Sequence, residues 1–303
     1  MNLKPCLFSL LAACALLGAS ANRTVAQEPE EVQLWPGDAP HAGGQEAADR
    51  PRLHVYRVDS DQPTPAIVIL PGGGYGHLAV GHEGEEIAAF FNRLGITAAV
   101  CIYRHRGAGN GGAGYGHPVP MLDAQRAIRT VRAATERWNI DPARVGVIGF
   151  SAGGHLASTV STHFDAGNPQ AEDPIERVSS RPDFAILGYP VIALDQPHTH
   201  RGSQRNLLGD NPDPELVKSL SNEKAVTAQT PPTFLFHTAE DQAVPAENSL
   251  QYFSALLRAG VTGELHVFEK GRHGIGLAAD HGAASAWPRL CARWLQTQGV
   301  IKP

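Results

Sequence analysis

The stretch Gly149-Phe150-Ser151-Ala152-Gly153 decides the reading of this chain. Before it runs Ala143-Arg144-Val145-Gly146-Val147-Ile148, a short apolar, β-branched segment of the kind that forms a buried strand. After it, Gly154-His155-Leu156-Ala157-Ser158-Thr159-Val160 continues as a helix. Strand, G-x-S-x-G and helix in that order make a nucleophile elbow. The turn is so tight that small residues must flank the serine. It holds the Ser151 hydroxyl above the C-terminal edge of a parallel sheet, at the start of a helix. A glycine- and serine-containing turn of no special purpose would not need that strand and that helix around it.

The rest of the chain reads as alternating strands and helices. Ala66-Ile67-Val68-Ile69-Leu70 is continuously apolar, as a strand covered on both faces must be. Strands are also expected at 32–35, 52–58, 96–103, 184–187, 233–237 and 264–268. Helices are expected at 84–94, 120–138, 214–220, 247–257 and 284–295. This alternation gives βαβ units: an α/β fold with a mostly parallel central sheet and helices on both faces. No linker divides it, so residues 31–303 read as one catalytic domain. The glycine-rich segment 104–117 is expected to be a mobile loop on the edge where strands end. The excursion 190–220 is expected to cap that edge.

Composition excludes several classes. The chain has 303 residues, 42% hydrophobic and 18% charged, with a net charge of −5, which is ordinary for a globular protein and unlike a basic nucleic-acid footprint. Residues 1–21 read as a signal peptide: Lys4, an apolar run from Cys6 through Leu17, and Ala19-Ser20-Ala21 as a cleavage signal, with a second cut site after Ala26. The run is too short to span a bilayer. Leu11-Ala12-Ala13-Cys14 also looks like a lipobox, which makes lipid anchoring at Cys14 a minor alternative to a free exported protein. Cys101 and Cys291 then remain, and both read as buried free thiols. No C-x-x-C or H-E-x-x-H spacing calls for a metal, and no cofactor is needed.

A serine hydroxyl needs a base to take its proton and an acid to orient the base. In this fold class the chain order is serine, acid, histidine. Downstream, the strand at 233–237 ends in Thr238-Ala239-Glu240-Asp241, and the strand at 264–268 ends in Glu269-Lys270-Gly271-Arg272-His273-Gly274. Asp241, at the tip of its turn before Gln242-Ala243-Val244-Pro245, is preferred over Glu240. A strand-end Asp alone could be a helix N-cap, and His273 alone a surface loop residue. In this order and at matching strand ends they read as partners of Ser151. His155, His237 and His266 read as structural, whereas His77, His82, His117 and His200 are loop residues able to line the site. An oxyanion hole needs converging backbone N–H groups. Ala152 supplies one, and Gly73 or Gly74 in Pro71-Gly72-Gly73-Gly74-Tyr75 supplies the other.

Together with His200-Arg201-Gly202-Ser203 and Asn206-Leu207-Leu208-Gly209, these motifs resemble secreted bacterial α/β-hydrolase esterases related to acetylxylan esterases and the feruloyl-esterase-like carbohydrate esterases. The likeness runs from about Glu31 to the C-terminus. It departs at Pro71, where related lipases and esterases carry histidine, and in the glycine-rich segment 104–117. The resemblance implies a serine esterase whose partner is an acylated carbohydrate, acetylated xylan first, with an acyl-enzyme intermediate. Two rivals are a serine peptidase of the prolyl-oligopeptidase type, which would bring a propeller domain that this length leaves no room for, and a non-catalytic carbohydrate-binding module, which would not need a complete triad.

Overall fold

A computed structural model describes residues 28–302. The leader, its cut sites and Cys14 lie outside those residues. Eight strands form one sheet: β1 (Glu30–Gln33), β2 (Arg52–Tyr56), β3 (Thr64–Leu70), β4 (Thr97–Ile102), β5 (Ile140–Phe150), β6 (Ala185–Gly188), β7 (Thr233–Thr238) and β8 (Gly263–Phe268). Their order is β1-β2-β4-β3-β5-β6-β7-β8. β1 and β2 pair antiparallel, β2 pairs antiparallel with β4, and every pair from β4 to β8 is parallel. This is the α/β-hydrolase arrangement.

The central strands are apolar throughout because both faces are covered. All seven residues of β3 are buried. One cluster, including Val68, Leu70, Ile128, Val147 and Leu156, gathers under α2 (Val119–Ala133) and α4 (Ala152–Thr162). The other, including Ile67, Ile69, Phe91, Ile148, Trp287 and Cys291, gathers under α1 (Glu86–Arg93) and α8 (Trp287–Thr297). On α8 the buried residues Trp287, Cys291, Trp294 and Leu295 fall at helical one-face spacing. Cys101 and Cys291 are free and buried, in different clusters.

Several elements differ from the sequence reading. The helix expected from residue 84 begins as a π-turn at Gly81–Glu85 that carries Glu83 inward. The helix expected over 120–138 ends at Ala133, followed by a short α3 (Thr135–Trp138). The strand before the elbow is longer than its apolar run, Ile140–Phe150.

The larger surprise on α2 is charge. Arg126, Arg129 and Arg132 are buried at a spacing of three and hold the irregular segment 163–183. Arg126 reaches Asp173 and Glu176 at 2.6 Å each, Arg129 pairs with Asp165, and Arg132 reaches Asp183 at 2.7 Å. Each also donates to a backbone carbonyl, of Leu34, Val178 and Pro142. Buried guanidinium groups need such complete pairing.

The segment 104–117, expected to be mobile, is tied at several points. Arg104 is buried against Asp123 (Nη2–Oδ1, 2.6 Å) and donates to the Pro40 carbonyl at 2.8 Å. Tyr115 donates to Asp49 at 2.5 Å, and the His117 N–H donates to the Leu207 carbonyl at 2.8 Å. The excursion 190–220 forms α5 (Arg201–Leu208) and α6 (Pro214–Ser219), while α7 (Glu247–Arg258) lies between β7 and β8 in the chain. Among the described residues no helix is long and apolar enough to cross a membrane.

His155 on α4 is fully buried. Its Nε2–H donates to the Leu220 carbonyl at 2.8 Å, so Nδ1 accepts from the Tyr75 hydroxyl at 2.9 Å. Burial pushes its pKa from 6.5 down to about 4. Between those values the unfolded chain binds a proton that the native protein does not. Stability is therefore full above pH 6.5 and declines as pH falls toward 4, by about 3 kcal/mol in total. Between pH 7 and 4.5 the Tm of the wild type should fall by about 5–10 °C more than that of His155→Gln. Scanning calorimetry on both proteins checks this, and parallel slopes would refute it.

Candidate active site

The three residues expected at strand ends meet on one edge of the sheet. Ser151 sits between β5 and α4 with φ 54° and ψ −119°. That backbone conformation is costly for a residue with a side chain and persists only where its surroundings impose it. The surroundings do so by close approach. A methyl group on Gly149 would lie 2.0 Å from the Gly153 carbonyl oxygen, and one on Gly153 would lie 2.1 Å from that of Leu70. Only glycine lets strand, turn and helix approach so closely. The Ser151 backbone is fixed as well: its N–H donates to Gly188 at 3.0 Å, and its carbonyl accepts from Val191 at 3.0 Å.

From Ser151 a chain of hydrogen bonds runs inward. Ser151 Oγ lies 2.7 Å from His273 Nε2, and His273 Nδ1 lies 2.6 Å from Asp241 Oδ2. Asp241 is buried, and its Oδ1 accepts from the N–H groups of Ala243 and Val244 at 3.0 and 2.9 Å. Burial alone would raise the Asp241 pKa. Hydrogen bonds to His237, His273 and the Val244 N–H outweigh it and hold the carboxyl well below its usual range. An ionised Asp241 draws the imidazole proton to Nδ1, which leaves the Nε2 lone pair facing the serine hydroxyl. That arrangement can take the proton from Oγ as the oxygen attacks a carbonyl carbon. Glu240 lies outside the chain: it is exposed and bound to Lys270 at 2.6 Å.

The loop after β3 supplies unpaired donors. Gly73 adopts φ +132°, open to glycine alone, and its carbonyl accepts from Gly76 and His77, closing a tight turn. Among the described residues the N–H groups of Gly73, Gly74 and Ala152 have no hydrogen-bond partner. Ala152 opens α4, where the first amides have no helical acceptor and the helix dipole favours negative charge.

Three residues in this network, Glu83, Tyr189 and His237, were not read in the sequence as parts of the site. Glu83 belongs to no motif that singles it out in the sequence. It is buried, and its two oxygens accept from the Gly72 N–H and the Tyr189 hydroxyl, both at 2.8 Å. Tyr189 also accepts from the Gly276 N–H at 2.9 Å, and its ring packs edge-on to His273 with centroids 5.1 Å apart. Glu83 thus ties the loop of unpaired amides to the wall behind the histidine. His237, read as structural, stands with Nε2 3.5 Å from Asp241 Oδ2. It is held by the Val244 carbonyl and Ser249 Oγ, both at 2.8 Å.

The candidate lining histidines separate. His77 borders Gly73, and the His82 backbone borders Gly276. His200 borders Gly74 and senses the charges of His273 and Asp241. His117 is grouped with His163 instead. Beside His273 opens a cleft of about 490 Å³, lined by Glu240, Gln242, Ala243, Gly271, Arg272 and His273.

Known proteins share this fold and sequence. The BD-FAE family matches residues 53–256. An acetylxylan esterase of Xylanibacter ruminicola is 38% identical over 215 residues, covering 70% of this chain and 41% of that protein. Endo-1,4-beta-xylanase B of Butyrivibrio fibrisolvens is 37% identical over 233 residues, covering 76% and 35%. The chain therefore spans well under half the length of either curated relative. The crystal structure of an acetyl ester-xyloside bifunctional hydrolase from Caldicellulosiruptor lactoaceticus superposes with a TM-score of 0.85 at 47% identity, covering 92% of this chain and 99% of that one. On this likeness in sequence and in fold, the chain belongs to the BD-FAE family.

Proposed function

We propose that this chain is an exported serine esterase that removes short acyl groups, acetyl first, from carbohydrate, with acetylated xylan as the leading substrate. The observation that carries this reading is the unbroken hydrogen-bond chain from Ser151 through His273 to Asp241. In the proposed reaction Ser151 Oγ attacks the ester carbonyl while His273 takes its proton. Asp241 orients the ring and stabilises the imidazolium. The N–H groups of Ala152 and of Gly73 or Gly74 receive the oxyanion. His273 then returns the proton to the departing alcohol, and water, activated by the same histidine, releases the acid. Residues 31–303 act as one catalytic unit. The leader read over 1–21 supports an exported protein whose substrate lies outside the cytoplasm. The names of the relatives, an acetylxylan esterase and an acetyl ester-xyloside hydrolase, support a carbohydrate ester. So does the polar start of the helix beside the amide loop, where His200 caps α5 and Asn206 on it donates to the Gly74 carbonyl.

Three substitutions test the roles. Ser151→Ala should fold normally and lose on the order of 10³-fold in kcat, with the remainder owed to the oxyanion donors. Asp241→Asn should lose on the order of 10²-fold or more, because the amide cannot hold the same tautomer, whereas Glu240→Gln should stay within about threefold. Turnover of p-nitrophenyl acetate by homogeneous samples measures all three. Near wild-type rates in Ser151→Ala, or a reversed order of the two acids, would refute the assignment.

Substrate class is tested separately. Along a p-nitrophenyl ester series, kcat/KM should fall from acetyl to octanoyl, since added methylenes contribute only where a pocket has room. Acetate should be released from acetylated xylan when xylan, pectin and mannan are compared side by side. A preference for octanoyl esters with no acetate from any polysaccharide would place the protein among lipase-like esterases.

A further inference from the structure

His200 stands at the N-terminus of α5, where its Nδ1 accepts from the Ser203 backbone N–H at 3.2 Å and lies 2.8 Å from Ser203 Oγ. A backbone N–H can only donate, so Nδ1 carries no proton, and the proton of the neutral ring is on Nε2. Burial lowers the His200 pKa below the usual histidine value, against the opposing charge of Asp241, and favours that neutral ring. The Nε2–H has no acceptor among the described residues, although the ring is half-buried.

The surroundings place this donor at the site. A methyl group built on Gly74 would lie 4.0 Å from His200 Cε1 and 3.9 Å from Ser203 Oγ. Asn206 Nδ2, one turn further along α5, donates to the Gly74 carbonyl at 2.8 Å. The helix is thus fastened to the amide loop, and His200 is carried with it. On its other side the ring is left open by Gly202, where a methyl group would lie 3.3 Å from Cε1 and 3.6 Å from Nε2. The side chain of Ser203, by contrast, is spent on fixing the tautomer. The oxyanion already has three unpaired amides at Gly73, Gly74 and Ala152, so the histidine is a donor to spare.

Building on the esterase reading above, we propose that His200 is a specificity-determining residue whose Nε2–H donates to an oxygen of the substrate's alcohol portion. That oxygen is a hydroxyl or ring oxygen next to the esterified carbon, so the contact favours esters of polyhydroxylated alcohols over esters of simple alcohols and phenols. A p-nitrophenyl ester has no such oxygen and cannot use the contact.

Two variants test this with the full-length enzyme. His200→Asn keeps a side-chain oxygen able to accept from the Ser203 N–H, and so keeps the helix cap, but removes the distal donor. Gly202→Ala keeps the imidazole but presses on its Cε1 edge at 3.3 Å, so the ring and its Nε2–H must shift by a few tenths of an ångström. The readout is the ratio of kcat/KM for acetylated xylooligosaccharide to kcat/KM for p-nitrophenyl acetate, with Tm recorded for each protein. One neutral hydrogen bond is worth about a factor of 5–10, so the ratio should fall by that factor in His200→Asn and in the same direction in Gly202→Ala. An unchanged ratio in His200→Asn, whether both activities persist or fall together, overturns the assignment of His200 while leaving the esterase reading intact. A wild-type enzyme that cleaves p-nitrophenyl acetate but no acetylated oligosaccharide overturns the carbohydrate reading and this inference with it.

Discussion

The left-handed backbone of Ser151 is the constraint on which the rest of the structure depends. A residue with a side chain holds φ 54° only if the chain on either side cannot relax. Here strand β5 is locked between β3 and β6, and α4 is pressed against the ends of β3 and β5. The cost, about 1–3 kcal/mol for such a residue, is offset by the burial of the sheet that surrounds it. The geometry lifts the hydroxyl clear of the strand and sets the Ala152 amide beside it. The histidine and the carboxylate can then arrive from two other strand ends, without any further distortion of the serine.

A second consequence concerns the loop after β3. A loop that keeps amides unpaired for a ligand cannot hold itself in place with those amides. Side chains from elsewhere do the holding. Glu83 takes the Gly72 N–H, Tyr103 donates to the Pro71 carbonyl, the Tyr75 hydroxyl meets His155, and Asn206 takes the Gly74 carbonyl. Each of the four comes from a different element, so the loop is braced from the sheet, both faces and the cap. Buried polar networks of this kind are favourable only when nearly every member is satisfied, which these contacts provide.

Much of this arrangement was legible in the sequence, because backbone demands leave marks that do not depend on distant residues. The glycines around Ser151 and in the loop at 72–74 announce close approach. The β-branched runs announce strands buried on both faces, and Asp241 and His273 were legible from their places past strand ends. Glu83, His237 and Tyr189 were not. Their roles come from partners 11, 4 and 106 positions or so away, and no periodicity encodes such meetings. The α2 arginines escaped for a related reason: hydropathy assigns a guanidinium to the surface, and only the acids of 163–183 make its burial tolerable. The segment 104–117 shows the same limit. Its glycines suggested motion, while Arg104 and Tyr115 inside it are anchors.

The two thiols of the described chain carry a consequence for where the protein can exist. Cys101 and Cys291 lie in the packing layers on opposite faces of the sheet, each closed off from solvent, and burial raises both thiol pKa values so that the reactive thiolate is suppressed. Among the described residues no disulfide contributes to this fold, and none can form between these two positions without dismantling the sheet that separates them. Folding of the described residues therefore calls for no disulfide formation. The packing of the described residues is therefore the same in reducing and in oxidising surroundings, and a change from one to the other breaks and makes no bond within it.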